Sequence, residues 1–230
     1  MDAHAIALTL TVCCAASVGL TLLAEFKAQR PEPTWRALKL VGKPCASLAF
    51  IALALHLANW DVEPDGYAHL IVIGLVFGAG GDVALMSKAK NWFLVGLVSF
   101  LFGHIAYLVA FARLTTVSEW VSPWSLLPIG AAVVVLKYLW RHLGSMRVPV
   151  LAYMVAIVLM AIAALALARK SAPALGEQAV QFAVVGALLF FASDVAVAKA
   201  RFVKARFVDR LWGLPCYYAG QLCIAWSLAS

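Results

Sequence analysis

The chain has 230 residues, 64% of them hydrophobic and 13% charged, with a formal net charge of +7. A soluble domain carries about a quarter charged residues, so this composition excludes an ordinary water-soluble enzyme. It leaves little chain for a domain outside a membrane.

The apolar residues fall in eight blocks, near 4–24, 37–57, 67–86, 92–113, 123–139, 148–168, 179–198 and 212–228. Each is long enough, as a helix, to cross a hydrocarbon core of roughly 30 Å. The first block lacks a basic n-region and has no clear cleavage site before "EFKAQRPEP", so it is expected to remain as a helix. The expected architecture is all-α: a single integral membrane domain over 1–230, built as a bundle of eight transmembrane helices.

Charge sets an expected orientation. The odd-numbered connections hold fourteen of the 18 basic residues, among them Lys27, Arg30, Arg36, Lys39, Lys88, Lys90, Arg147, Lys199, Arg201, Lys204, Arg206 and Arg210. The even connections hold only Arg113, Arg169 and Lys170, and the second, "NWDVEPDG", is acidic. Counting Lys and Arg puts the odd loops in the cytoplasm and both termini outside, in the inner membrane for a bacterial chain. The positive charge is then topology and anionic-lipid contact, not a nucleic-acid footprint. All five cysteines fall inside spans as small apolar residues, and seven tryptophans cluster near span ends as an interfacial belt.

Two phrases repeat. "GAGGDVALMSKAK" (78–90) and "FFASDVAVAKARF" (190–202) align at a shift of 112 residues, which brings Asp82 onto Asp194. The third and fourth spans thus echo the seventh and eighth. With four spans per half, both halves enter the membrane in the same direction, the signature of a parallel 4+4 repeat.

Ionisable residues within spans are rare unless they line a pathway or site. At 1.5 Å of rise per residue, Asp82, Asp194, Lys43 and Tyr153 each lie about 8–10 Å below the nearest basic residue of a cytoplasmic loop. His104 and Tyr107 lie deeper on the fourth span, and Tyr218 and Gln221 share a face of the last. The set describes a polar funnel entered from the cytoplasmic leaflet. The plain alternatives are a structural Lys43–Asp pair, hydrogen-bonded core tyrosines and a satisfied core histidine. There is no GxSxG and no HExxH, and His104 is the only deep histidine, so neither an elbow-type serine esterase nor a zinc or other cofactor site is expected. The glycines of "GLVFGAGGD" lie inside an apolar span, where small residues serve close helix packing.

Taken together, "GKP" (42–44), "GDVALM" (81–86), "GHIAY" (103–107), "FFASDVAVAKARF" and "CYYAGQL" (216–222) resemble the YhhN-like family of membrane proteins, the lysoplasmalogenase family. The resemblance implies an eight-helix bundle. It also implies hydrolysis of the vinyl ether bond of a lysoplasmalogen to a fatty aldehyde and glycerophosphoethanolamine or glycerophosphocholine. Carried over by motif, it points to Lys43, Asp82, His104, Tyr107, Asp194, Tyr218 and Gln221. The expected partners are therefore a lysophospholipid substrate and membrane lipids. The chemistry agrees with the residues: a vinyl ether yields to protonation, and two carboxyl groups in unlike states supply an acid and a stabilising anion. The competing reading is a lipid or small-solute transporter or binding protein with the Asp pair as a proton relay.

Overall fold

The computed structural model describes residues 2–27, 33–60, 66–87, 89–169 and 175–229. Arg30, Lys88, Lys170 and the acidic stretch 61–65, used above to argue orientation, lie outside the described residues. Among those described, every regular element is helical: α1 Ala3–Lys27, α2 Pro33–Leu57, α3 Tyr67–Ala84, α4 Lys90–Arg113, the short α5 Val117–Trp120, α6 Leu126–Leu139, α7 Arg147–Leu167, α8 Glu177–Phe202 and α9 Phe207–Trp226. Eight of these are long, one for each apolar block. In hydrocarbon every backbone polar group needs an internal partner, and the helix supplies it within one segment.

Seven stretches are long and apolar enough to span a membrane: α1, α2, α3, α4, α7, α8 and α6 with its flanking 3₁₀ turns. The exception is α9, which is 20 residues long but diluted by Asp209, Arg210, Tyr217, Tyr218 and Gln221. It nonetheless packs against α8, α2 and α1 inside the bundle. Its polarity faces protein. The outer surface is the reverse of a soluble protein's: Val12, Leu48, Val134 and Val155 are each 57–68% exposed, as a lipid-facing shell requires.

Three helix pairs pack most closely, α8 on α9, α3 on α4 and α1 on α2. Small residues make this possible. A Cβ at Gly74 would sit 2.2 Å from the Tyr107 ring, and one at Gly186 would sit 2.8 Å from the carbonyl oxygen of Gly220. Gly74 and Gly186 occupy the same place in the repeat, each eight residues before its aspartate. The packing follows the repeat around the α3–α4 and α8–α9 hairpins and departs from it at α1 and α6, since α1 packs closely on α2 while α6 barely touches α7. The α2–α3 contact has its counterpart in α7–α8, and α2–α9 in α7–α4.

Both chain ends meet at one end of the bundle. His4 packs on Trp226, and the ring of His56 bonds to the carbonyl of Ala3 at 2.9 Å. Lys27, Lys39, Lys199 and Arg210 lie toward the opposite end, called here the basic end. There α3 stops short. Its end at Ala84 is level with Gly96, because a Cβ on Gly96 would lie 2.9 Å from Leu85 and 3.2 Å from the carbonyl of Gly81. Gly96 is six residues into α4, so α3 falls about 9 Å short of its partner. The non-helical link at 85–87 climbs the difference along the wall of a cavity, where irregular backbone at membrane depth is tolerated.

The glycine packing makes a contrast that can be measured. At Gly186 the obstacle is backbone, so Gly186→Ala should lower stability by about 1–3 kcal/mol by prising α8 from α9. Gly19 and Gly130 have nothing within 4 Å of an added Cβ, so Ala there should be neutral or stabilising by up to about 1 kcal/mol. Thermal unfolding of the purified variants in one detergent reads both.

Candidate active site: two aspartates in one cavity

A cavity of about 460 Å³ opens at the basic end, and both Asp82 and Asp194 line it. The shared cavity expected from their depth and context is present. Its wall comes from α1, α2, the α3–α4 turn, α4, α8 and α9, and it includes Lys43, Met86, Phe100, Ser193 and Tyr217. It exists because α3 ends early while its neighbours continue.

Asp82 lies in the last turn of α3, where the unpaired carbonyls make a negative helix end that disfavours an anion. Two helices compensate. Lys43 Nζ of α2 donates to Oδ1 at 2.8 Å, and the Tyr218 hydroxyl of α9 donates to Oδ2 at 2.5 Å. The Lys43 and Asp82 side chains are 12% and 6% exposed. This is an ion pair withdrawn from water. Tyr218 also reaches the carbonyl of Lys43, at 3.3 Å, so three helices close on one carboxylate.

Asp194 sits in mid-helix on α8 with different company. The Tyr153 hydroxyl of α7 donates to its Oδ2 at 2.7 Å. His104 Nε2 of α4 lies 3.2 Å from the same oxygen, off the line of a normal hydrogen bond. The other ring nitrogen, Nδ1, donates to the Phe100 carbonyl at 2.7 Å. No Lys or Arg is bonded to Asp194 among the described residues.

His104 was expected near the midplane, well below Asp194. Direction reconciles the two: a helical side chain leans toward its own N-terminus, and α4 and α8 run oppositely. Asp194 therefore leans away from the basic end and His104 toward it, and they meet between their backbone levels.

The partners obey the four-span shift. Asp82, on the third span, is held from the second and the eighth; Asp194, on the seventh, is held from the sixth and the fourth. What differs is the chemistry: a cation and a phenol at Asp82, a phenol and an imidazole at Asp194.

Tyr107 and Gln221 do not reach the cavity. They bond to each other, Tyr107 hydroxyl to Oε1 at 2.7 Å, and both are fully buried. Between them and the carboxylates lies a floor of rings. Phe100, Phe190 and Tyr217 meet pairwise with centroids 5.5–5.9 Å apart, and Phe50 closes on Tyr217 at 6.3 Å. Tyr217 is a lining residue that sequence reasoning passed over in favour of its neighbour Tyr218. The cavity mouth was also missed. There Glu25 holds both Lys39, at 2.5 Å, and Arg210, and Lys199 binds the buried Asp209 at 2.6 Å. The doublet of charges in α9's first turn was the available signal for the last of these.

Lys43 Nζ is engaged by Asp82, so its first role is to hold that anion. Lys43→Met should destabilise the protein by about 3–5 kcal/mol, the usual cost of stranding one member of a buried pair. Adding Asp82→Asn should restore most of the loss. Chemical unfolding of the single and double variants tests the pair, and an unaltered Lys43→Met protein would refute it.

Residues 38–228 match the model of the YhhN family. The chain is 28% identical over 217 residues to an uncharacterised membrane protein, YhhN, of Escherichia coli O6:H1 (strain CFT073), covering 92% of this chain and 96% of the relative. The same figures hold for the proteins of that description in Escherichia coli O157:H7 and Shigella flexneri. No solved structure matches it. The match takes in every residue of both carboxylate sites, and the chain belongs to the YhhN family of membrane proteins.

Proposed function

We propose that the protein is a membrane hydrolase that cleaves the vinyl ether bond of a lysoplasmalogen, with Asp194 as proton donor and Asp82 as the fixed anion. The observation that carries this reading is the unlike pairing of two carboxylates on one cavity. Asp82 has a lysine and a phenol donating to it, the donors that a fixed anion needs. At Asp194 no cation is bonded among the described residues: the Tyr153 hydroxyl donates to Oδ2, and His104, its Nδ1–H committed to the Phe100 carbonyl, only stands beside it. On this reading Asp194 carries the proton that the reaction spends.

The reaction needs such a proton. Transfer to the outer vinyl carbon leaves an oxocarbenium ion at the carbon bonded to the ether oxygen. A carboxylate stabilises that cation, as in glycosidases. Water adds, and its proton returns to a carboxylate. The hemiacetal then passes a proton to the glycerol oxygen, the C–O bond breaks, and aldehyde and glycerophosphodiester separate. Water is consumed and the protein ends as it began.

Transport by a proton relay is disfavoured by the ring floor beneath the cavity and by the absence of ionisable lining beyond it among the described residues; a relay needs polar groups through the full thickness. The basic end faces the cytoplasm on this reading, by the distribution of Lys and Arg. An impermeant thiol reagent should then label Lys204→Cys in inside-out vesicles and not in right-side-out ones, and the reverse pattern would invert the topology.

Activity is tested with purified protein, a lysoplasmalogen and its ester analogue. Aldehyde should appear from the first and no fatty acid from the second. Asp194→Asn and Asp82→Asn should each reduce aldehyde release by roughly 10²–10⁴-fold, the range for a lost acid–base group, while the proteins remain folded. Near-normal release by both variants would reject the two-carboxylate mechanism.

A further inference from the structure

Four cations line the cavity among the described residues: Lys39, Lys43, Arg201 and Arg210. Lys43 is held by Asp82, and Lys39 and Arg210 are both held by Glu25. Arg201 is different. It has no carboxylate within ion-pair distance among the described residues, and its guanidinium lies over the Phe93 ring, 4.2 Å from the centroid. A stacked guanidinium keeps its N–H edge free, and the ring limits its rotamers, so the fork is poised to bind a second group. Arg201 lies seven residues beyond Asp194 on α8, hence on the same face and about 10 Å nearer the basic end.

Phe93 also belongs to a second space. An apolar crevice runs between α4, α6, α7 and α8, walled by Leu97, Val135, Val150, Met154, Phe191 and Phe202 among others. Its polar residues are Tyr153 and Asp194, and it shares Leu85, Phe93, Phe100, Asp194 and Val197 with the polar cavity. Asp194 thus stands where a charged compartment meets an apolar one, with an unpaired arginine on one side and a hydrocarbon-lined slot on the other.

We propose that this is a bipartite site for a single-chain phospholipid: Arg201 binds the phosphate, the crevice, with about 50 Å³ of free space, takes the first carbons of the hydrocarbon chain, and the bond between glycerol and chain is held against Asp194. The assignment deepens the hydrolase reading and rests on it for the identity of the scissile bond. The binding site itself is a separate claim. Arginine matches a phosphodiester with two parallel N–H donors, and a slot whose only polar lining is Tyr153 and Asp194 sets the polar end of the chain against them. Arg201 is a substrate-binding residue here, with no part in proton transfer.

The test uses full-length protein and ligands that it does not cleave. Fluorescence titration would compare an ester-linked lysophosphatidylcholine, the monoacylglycerol of the same chain, glycerophosphocholine and inorganic phosphate. The wild type should bind the lysophospholipid at least tenfold more tightly than the monoacylglycerol. Arg201→Gln should remove that preference by weakening the phospholipid roughly 10–100-fold, while Arg201→Lys keeps part of it. In turnover, Arg201→Gln should raise KM and leave kcat near its wild-type value. Val135→Trp, a bulky addition to the crevice from the lightly packed α6, should weaken long-chain lipid and leave glycerophosphocholine unchanged.

Equal binding of the phosphate-bearing and phosphate-free lipids by the wild type would overturn the phosphate half, as would full retention of the preference in Arg201→Gln. Unaltered chain binding in Val135→Trp would overturn the crevice half. Inorganic phosphate binding as tightly as the lipid would mark a free-anion site and overturn the lipid assignment. If these arms hold and no aldehyde forms from the vinyl ether, the binding site stands and the hydrolase reading falls.

Discussion

The structure depends on keeping two carboxylates paired inside a hydrocarbon bundle. A charged side chain at mid-membrane costs at least about 2.5–3.5 kcal/mol if left alone, and neither aspartate is left alone. Asp82 takes donors from α2 and α9, and Asp194 faces groups from α4 and α7. Six of the eight long helices are thereby fixed around two residues. Individual hydrogen bonds between membrane helices average only about 0.6 kcal/mol, so their value lies in setting position. They decide which side chains face the cavity, and the tight glycine contacts of α3–α4 and α8–α9 hold the two hairpins stiff enough for that to matter.

The repeat explains how one chain acquires both sites, and one departure from it explains why they differ. The helix before each aspartate-bearing hairpin supplies its first donor, but from different positions: the shift of 112 residues carries Lys43 onto Val155, two residues beyond Tyr153. An ammonium therefore faces one carboxyl group and a phenol the other. The second neighbour differs likewise, the Tyr218 hydroxyl against the His104 ring. Two identical side chains are set in unlike company without any change in the aspartates.

Much of this was legible in the chain. Eight apolar blocks became eight long helices, and the shared level of Lys43, Asp82, Tyr153 and Asp194 was visible because rise per residue converts sequence distance to depth. The ends were less legible. Apolarity reports contact with lipid, whereas a helix can continue beyond the hydrocarbon or face protein. So α8 runs four residues past its block, to Phe202, and α9 begins five before its own, at Phe207. Rotation about each helix axis was not legible at all. That Tyr107 turns to Gln221 while His104, three residues earlier, turns to Asp194 depends on which neighbours surround α4. Arg201 and Glu25 sit among charges that look, in sequence, like ordinary flanking residues of a cytoplasmic loop.

The floor formed by Phe50, Phe100, Phe190 and Tyr217 has an electrical consequence. Among the described residues the rings close the far side of the cavity, so water and ions reach the carboxylates from the basic end and that compartment stays close to the potential of the solution it opens to. A unit charge crossing the whole membrane exchanges about 2.3 kcal/mol per 100 mV with the field. A proton arriving at Asp194 stops above the ring layer and crosses only part of the drop. A cavity closed on one side couples a proton only weakly to the membrane voltage, so the hydrolysis proposed above would need no field to drive it.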